Sequence, residues 1–300
     1  MRIPIARMAA AAVAILAACT SSNPSGSVPS TSNLPQAAGA FAAAAGQKLA
    51  YPVRVAPAAY GTVFVSDASA NQVLGLKAGA PVVAITGIPK PLGIAVSGTT
   101  LYVGSAGRHT VESYDLSNRK AGWALAGFDM PNGIAVGPDG SVFVVDSRKD
   151  HLTVLAPDGR VLREIGGDLN FPVAVAVDAA RIVVADQGNH RVVVYSPAGA
   201  QVRAFGGEVT SGKTIDDYRG KFTSLGSVAL SGSEILALDS AHSFVQAFDA
   251  AGTPAGIFGY AGACGSCTKL ALAIAVAPDG SVLATDPEQH RVVSLSTERR

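Results

Sequence analysis

A ten-residue phrase beginning on aspartate recurs along this chain and limits what it can fold into. It reads DQGNHRVVVY from Asp186 to Tyr195, DPEQHRVVSL from Asp286 to Leu295 and, more loosely, DSRKDHLTVL from Asp146 to Leu155. Degraded copies begin at Asp67, Ser105 and Asp239. Self-similarity at a period of roughly forty residues marks a propeller or a solenoid. Each copy follows a short run rich in β-branched residues, such as Val63-Phe64-Val65, Val142-Phe143-Val144 and Ile182-Val183-Val184. Runs of that length bounded by turns read as buried strands. Pro138-Asp139-Gly140, Pro157-Asp158-Gly159 and Pro278-Asp279-Gly280 supply turn signals. Each repeat then gives four strands, a to d, which is one propeller blade.

Strand a carries an internal check. Its large residues are Ile94, Ile134, Val175, Val228 and Ile274, and its alternating positions are small: Gly93, Gly133, Ala174, Ser227 and Ala273. In a propeller this strand lies nearest the axis, where the blades converge and space is least. One bulky and one small face let neighbouring wedges pack there. The pattern predicts a closed, all-β, six-bladed β-propeller of four-stranded antiparallel blades over residues 41–300. The sixth repeat stops near Leu295 without a fourth strand. An open ladder invites aggregation, so residues 36–46 are expected to pair there as strand d and close the ring.

The amino-terminal part has a different character. Arg2 and Arg7 precede an apolar run, Met8 to Ala18, too short to span a bilayer as a helix. The run ends in Leu16-Ala17-Ala18-Cys19, which resembles the lipobox of bacterial lipoproteins. That resemblance implies a signal peptide over residues 1–18 and a lipid on Cys19. The other reading is an ordinary signal peptide with an incidental cysteine. Residues 19–40 are rich in Ser, Pro, Asn and Ala and form a tether. Of 23 basic residues, removal of Arg2 and Arg7 leaves 21 against 22 acidic ones, which gives no electrostatic footprint for nucleic acid.

The P-x-G-I-A-V strand, the V-x-V-x-D strand and the N-H-R-V turn are similar to NHL repeats. The third, fourth and sixth copies match best; in the second, Ser105 replaces the aspartate and no arginine follows the turn. The resemblance covers residues ~50 to 295 and implies a six-bladed propeller. NHL propellers serve as protein-binding, RNA-binding and sensor modules, and related six-bladed propellers include metal-dependent lyases and gluconolactonase-type enzymes.

Several residues invite a chemical reading. His109, His151, His190, His242 and His290 fall in the b–c turns of different blades. Ligands of one ion must lie about 2 Å from it, so turns spread around a ring collect them poorly, and a structural role is expected. The recurrent Asp–Arg pairs, such as Asp186 with Arg191, read as turn fasteners. The mouth positions of strand a are Val53, Leu92, Asn132, Val173, Gly226 and Leu272, of which Asn132 alone is polar. No metal site or cofactor is expected there. Arg54 stands where the other blades carry a small residue, so it reads either as an anion anchor at the mouth or as the mark of an atypical first blade.

Two insertions lengthen d-to-a connections. Residues 208–219 carry Lys213, Asp216, Asp217, Tyr218 and Arg219, and residues 260–267 carry Cys264 and Cys267. Long loops on a rigid scaffold commonly hold recognition residues; solvated loop is the other reading. The two cysteines are expected to form a disulfide, since a zinc site needs two more ligands and a redox motif needs a thioredoxin-like setting. The sequence therefore predicts an exported monomer, anchored by lipid on the periplasmic or cell-surface side. It would bind an envelope protein, glycan or small ligand without catalysis. The competing expectation is a metal-dependent lyase or lactonase with its site near Arg54 and Asn132.

Overall fold

In a computed structural model, residues 36–42, 44–210, 214–259, 271–295 and 297 are described. The expected signal peptide and Cys19 lie outside them, as do Lys213, Cys264 and Cys267. After a short strand β1 (Ala40–Ala42), the chain builds six antiparallel sheets in sequence. The first blade comprises β2 (Pro52–Pro57), β3 (Thr62–Asp67), β4 (Gln72–Lys77) and β5 (Ala80–Thr86). The second comprises β6 (Pro91–Ser97), β7 (Thr100–Ser105), β8 (Thr110–Asp115) and β9 (Lys120–Ala126). The third holds β10 (Pro131–Val136), β11 (Val142–Asp146), β12 (His151–Leu155) and β13 (Val161–Gly166). The fourth holds β14 (Pro172–Val177), β15 (Ile182–Asp186), β16 (Arg191–Tyr195) and β17 (Gln201–Gly206). The fifth has β18 (Leu225–Ser231), β19 (Glu234–Asp239), β20 (Phe244–Phe248) and β21 (Pro254–Phe258). The sixth has β22 (Ile274–Val276), β23 (Val282–Asp286) and β24 (Arg291–Leu295). The molecule is a six-bladed β-propeller, as its repeats predict.

Local chemistry explains the hairpins. In the third and sixth blades the a–b turn places Gly140 and Gly280 at φ 82° and 84°, a conformation that costs glycine little. Asp139 and Asp279 accept the amides of Ser141 and Ser281 at 3.0 Å each. The small positions of strand a do what their pattern implies. A Cβ on Gly93 would lie 2.9 Å from Ile134 Cγ1, and one on Gly133 would lie 2.8 Å from Ala174 Cα. Inner strands of adjacent blades therefore approach to backbone contact. On the outside, each fourth strand drives one apolar side chain onto the next blade. Ile85 clusters with Leu101 and Val103, Leu125 clusters with Val142 and Val144, and the Phe205 ring lies tilted 4.8 Å from that of Phe248. The core is thus a chain of interblade layers, with apolar burial as its driving force.

The predicted closing strand is elsewhere. β1 pairs with β5, with Phe41 opposite Ile85, and makes the first blade five-stranded; blade six has three strands among the described residues. The physical reason lies in blade two. Phe41 packs edge-on against Tyr114 at 6.3 Å, Gly39 N donates to Tyr114 Oη at 3.1 Å, and Ala37 N donates to Gly122 O at 2.8 Å. A Cβ on Gly39 would sit 2.3 Å from Tyr114 Oη, so the small residues of this segment let it enter the gap between β5 and β9. The ring closes instead where β2 packs against β22 and β23. Thr285 Oγ1 donates to Val53 O at 3.4 Å, and His290 Nδ1 meets Ala50 O.

Candidate functional site

Arg54 sits on the axis, only 9% exposed. Its Nε donates to Asn132 O at 3.0 Å; Nη1 donates to Gly226 O at 3.2 Å and Leu272 O at 2.9 Å; Nη2 donates to Asn132 Oδ1 at 2.8 Å and Val173 O at 2.7 Å. Those bonds use all five guanidinium N–H groups. The acceptors are the mouth residues of blades three to six. Strand a carries a bulge at the same place in blades one to five, where register shifts between Pro52 and Arg54, Pro91 and Ile94, Pro131 and Gly133, Pro172 and Ala174, and Leu225 and Ser227. A bulged residue leaves the ladder, so its carbonyl needs another donor. Arg54 serves Asn132, Val173 and Gly226. Ser66 Oγ serves Leu92 O at 2.7 Å, and Thr285 Oγ1 serves Val53 O.

Burial pushes the Arg54 pKa down to about 10, which still leaves a cation at neutral pH. That charge is offset by carbonyl dipoles, with no carboxylate among its hydrogen-bond partners. The anion-anchor reading therefore gives way to an axial plug, because no donor is left for a ligand. Asn132 is consumed in the same way, with Nδ2 donating to Ser147 Oγ at 3.1 Å. Among the described residues no three His, Cys, Asp or Glu side chains gather as metal ligands.

The recurrent phrase fastens the b–c turns. Asp186 is fully buried and accepts Asn170 N at 2.7 Å, Asn189 Nδ2 at 2.8 Å and Arg191 Nε at 2.8 Å. Asp146 accepts Asp129 N and Met130 N, and Asp239 accepts Thr223 N. Three of the five histidines, His109, His190 and His290, have a backbone explanation. The fourth residue after each anchor is Asn71, His109, Asp150, His190, Ser243 or His290, and all six have φ between 52° and 58°, rounded. Asn, Asp and His are the non-glycine residues most tolerant of that left-handed conformation. Blade two, which lacks the anchor aspartate, has a substitute that the sequence reading missed. Glu112 is buried on β8 and accepts Arg108 Nη1 at 3.1 Å, Thr110 Oγ1 at 2.8 Å and Tyr114 Oη. A charged residue in the middle of the third strand, where the other copies carry the uncharged Leu74, Thr153, Val193, Gln246 and Val293, was the available signal.

The described part of the first insertion is a tied loop. Phe222 N donates to Gly207 O at 2.8 Å and closes its neck, while Phe222 itself is buried. Thr214 and Asp217 form a capping box on a single helical turn, Ile215–Tyr218. Asp216 and Arg219 are exposed and pair with each other at 2.8 Å. Tyr218 is half-buried; its ring lies 4.6 Å from that of His242 and 5.5 Å from that of Phe244. Burial, with Asp239 and Asp217 nearby, raises the Tyr218 pKa. The loop thus combines an exposed ion pair with an aromatic step onto the fifth blade's b–c turn. His242 belongs to this surface, which its place in the repeat concealed. Ala271, which lies beyond the second insertion, meets the same turn, its N donating to Ser243 Oγ at 2.9 Å.

The NHL repeat family model matches residues 169–195, which span the fourth blade's first three strands and the connection before them. A comparison with curated proteins gives no significant match. Solved structures are similar in fold at low identity. A catalytically inactive virginiamycin B lyase from Staphylococcus aureus, in a crystal structure with quinupristin, has TM-score 0.63 and 12% identity over 87% of each chain. Hydrazine synthase of Kuenenia stuttgartiensis has TM-score 0.61 and 15% identity, covering 85% of this chain and 97% of that one. A chain of a nidogen/laminin complex has TM-score 0.58 and 21% identity over 70% and 80%. These neighbours include both an enzyme and a binding partner, so they speak for the architecture alone. Sequence repeat, family match and blade geometry agree: the chain carries an NHL repeat within a six-bladed β-propeller.

Proposed function

We propose that this chain is a non-catalytic binding module, exported and held at the cell envelope by a lipid on Cys19. In this reading it recognises an envelope protein, glycan or small ligand through the 208–219 loop and the adjoining turn of the fifth blade. The axial guanidinium carries the non-catalytic half of the proposal. The carbonyls at the inner mouth are spent on Arg54, so a reaction centre there would have to displace a fully bonded cation. The loop supports the binding half. Asp216, Tyr218, Arg219 and His242 offer charge, an aromatic edge and an imidazole on a rigid base, a suitable combination for a polar partner.

A pull-down from envelope extracts tests the reading, comparing the intact chain with one lacking residues 208–219. Partners captured by the first and lost by the second are the expected result. Identical partners for both would remove the loop from the proposal. Elemental analysis of the same preparations distinguishes the competing lyase or lactonase, since stoichiometric zinc or calcium would favour an enzyme. Fractionation of a Cys19→Ser variant tests the anchor: the protein should move from the membrane to the soluble fraction.

A further inference from the structure

Five blades share one device that blade six does not show among the described residues. The second residue of the third strand, or its equivalent, faces a large apolar residue of the fourth: Val73 faces Ile85, Val111 faces Leu125, Leu152 faces Ile165, Val192 faces Phe205 and Val245 faces Phe258. A small residue follows each time: Thr86, Ala126, Gly166, Gly206 or Gly259. The apolar side chain is what seals each blade to the next. In blade six the equivalent third-strand residue is Val292, and β24 ends the sheet order. Where a fourth strand would lie, there is a groove of about 780 Å³ between blades six and one. Val63, Leu74, Leu76 and Pro81 form one wall and Leu283 and Val293 the other; Lys48 stands at its edge, and no carboxylate lines it among the described residues.

We infer that this groove receives an extended segment of a partner polypeptide, which adds to β24 as an antiparallel fourth strand. The five resident fourth strands specify its chemistry. It should present Ile, Leu or Phe opposite Val292, a small residue next, and polar or acidic residues toward Lys48. Main-chain pairing supplies affinity and the apolar pocket supplies selectivity, as in other cases of strand addition to a sheet edge. The surface shares no residue with the 208–219 loop, so the inference stands or falls apart from the proposal above.

The probe is a capped peptide copying residues 160–167 of this chain, RVLREIGG, in which Ile165 is the apolar plug and Glu164 the acid. Titration into the full-length chain should show saturable binding. Replacing the peptide's Ile165 with Ser should weaken it at least ~10-fold, about 1.4 kcal/mol. The protein variant Leu76→Asp should do the same, whereas Leu162→Asp on the third blade should not. Amide hydrogen exchange at those β24 amides that point away from β23 should be fast in the free chain and slow with peptide, while the alternate amides are bonded to β23 in both states. Absence of binding at about 1 mM peptide, the weak end of measurable affinity, would overturn the inference. So would equal binding of the Ile165→Ser peptide. Slow exchange without peptide would also overturn it, because the groove would then be filled already; sedimentation would assign the occupant to a second copy or to this chain's own amino-terminal segment. The peptide comparison requires no change to the protein and therefore survives a failure of Leu76→Asp to fold.

Discussion

Two residues show how far a repeat can be read one position at a time. Arg54 was visible as an exception, yet the sequence left its target open between a ligand and the frame. The answer came from the bulges, which turn several carbonyls inward and make a guanidinium their donor. Arg54→Met should cost about 3 kcal/mol or more, because several buried acceptors lose their donor together. Arg54→Lys should fall between, since ammonium keeps the charge but has three donors without the planar fork. Urea melts would measure both; losses under 0.5 kcal/mol would mean that water replaces the side chain at no cost. His190 gives the opposite test. Its φ of 52° makes a backbone role the expectation. His190→Asn should then be neutral within about 0.5 kcal/mol, and His190→Val should cost about 1–2 kcal/mol. A large loss on His190→Asn would restore a role for the imidazole itself.

Among elements, the strands were legible because both their period and their turns are local. The placement of β1 was not. Its alanines and Phe41 fit more than one sheet edge, and only the positions of Tyr114 and Gly122 decide between them. Glu112 shares that dependence: its carboxylate accepts from Tyr114 Oη, while that oxygen accepts from Gly39 N. The strand is therefore tied to the one blade that departs from the anchor pattern. Comparing chains that begin at residue 36 and at residue 44 should reveal the tie. Loss of β1 uncovers Tyr114 and the β5 edge, worth about 2 kcal/mol by apolar area, and should lower Tm by about 5 °C for a domain of this size. Equal melting temperatures would make β1 an ornament.

For the molecule as a whole, the plug changes the mechanics of the ring. Blades in an open array contact neighbours only and can melt in turn. Here a side chain from blade one bonds directly to blades three, four, five and six, so the blades share a centre as well as their interfaces. Cooperative unfolding is the expected consequence. Trp123, the single tryptophan, lies on the second blade, which Arg54 does not bond. Its fluorescence should nonetheless lose native character at the temperature where far-UV circular dichroism reports loss of all strands. Separated curves would show that blade two melts independently.

The sequence by itself determined the blade count, the register of each repeat and the crowding at the axis. Those follow from short-range patterns that recur, and recurrence makes them legible. Tertiary structure decided what the exceptions do. It assigned Arg54 to mouth carbonyls on four other blades, three of them at strand bulges, sent β1 to blade one instead of blade six, and left a groove beside β24. Each outcome depends on contacts between residues far apart in the chain, where geometry, unlike hydrophobic period, leaves no local trace.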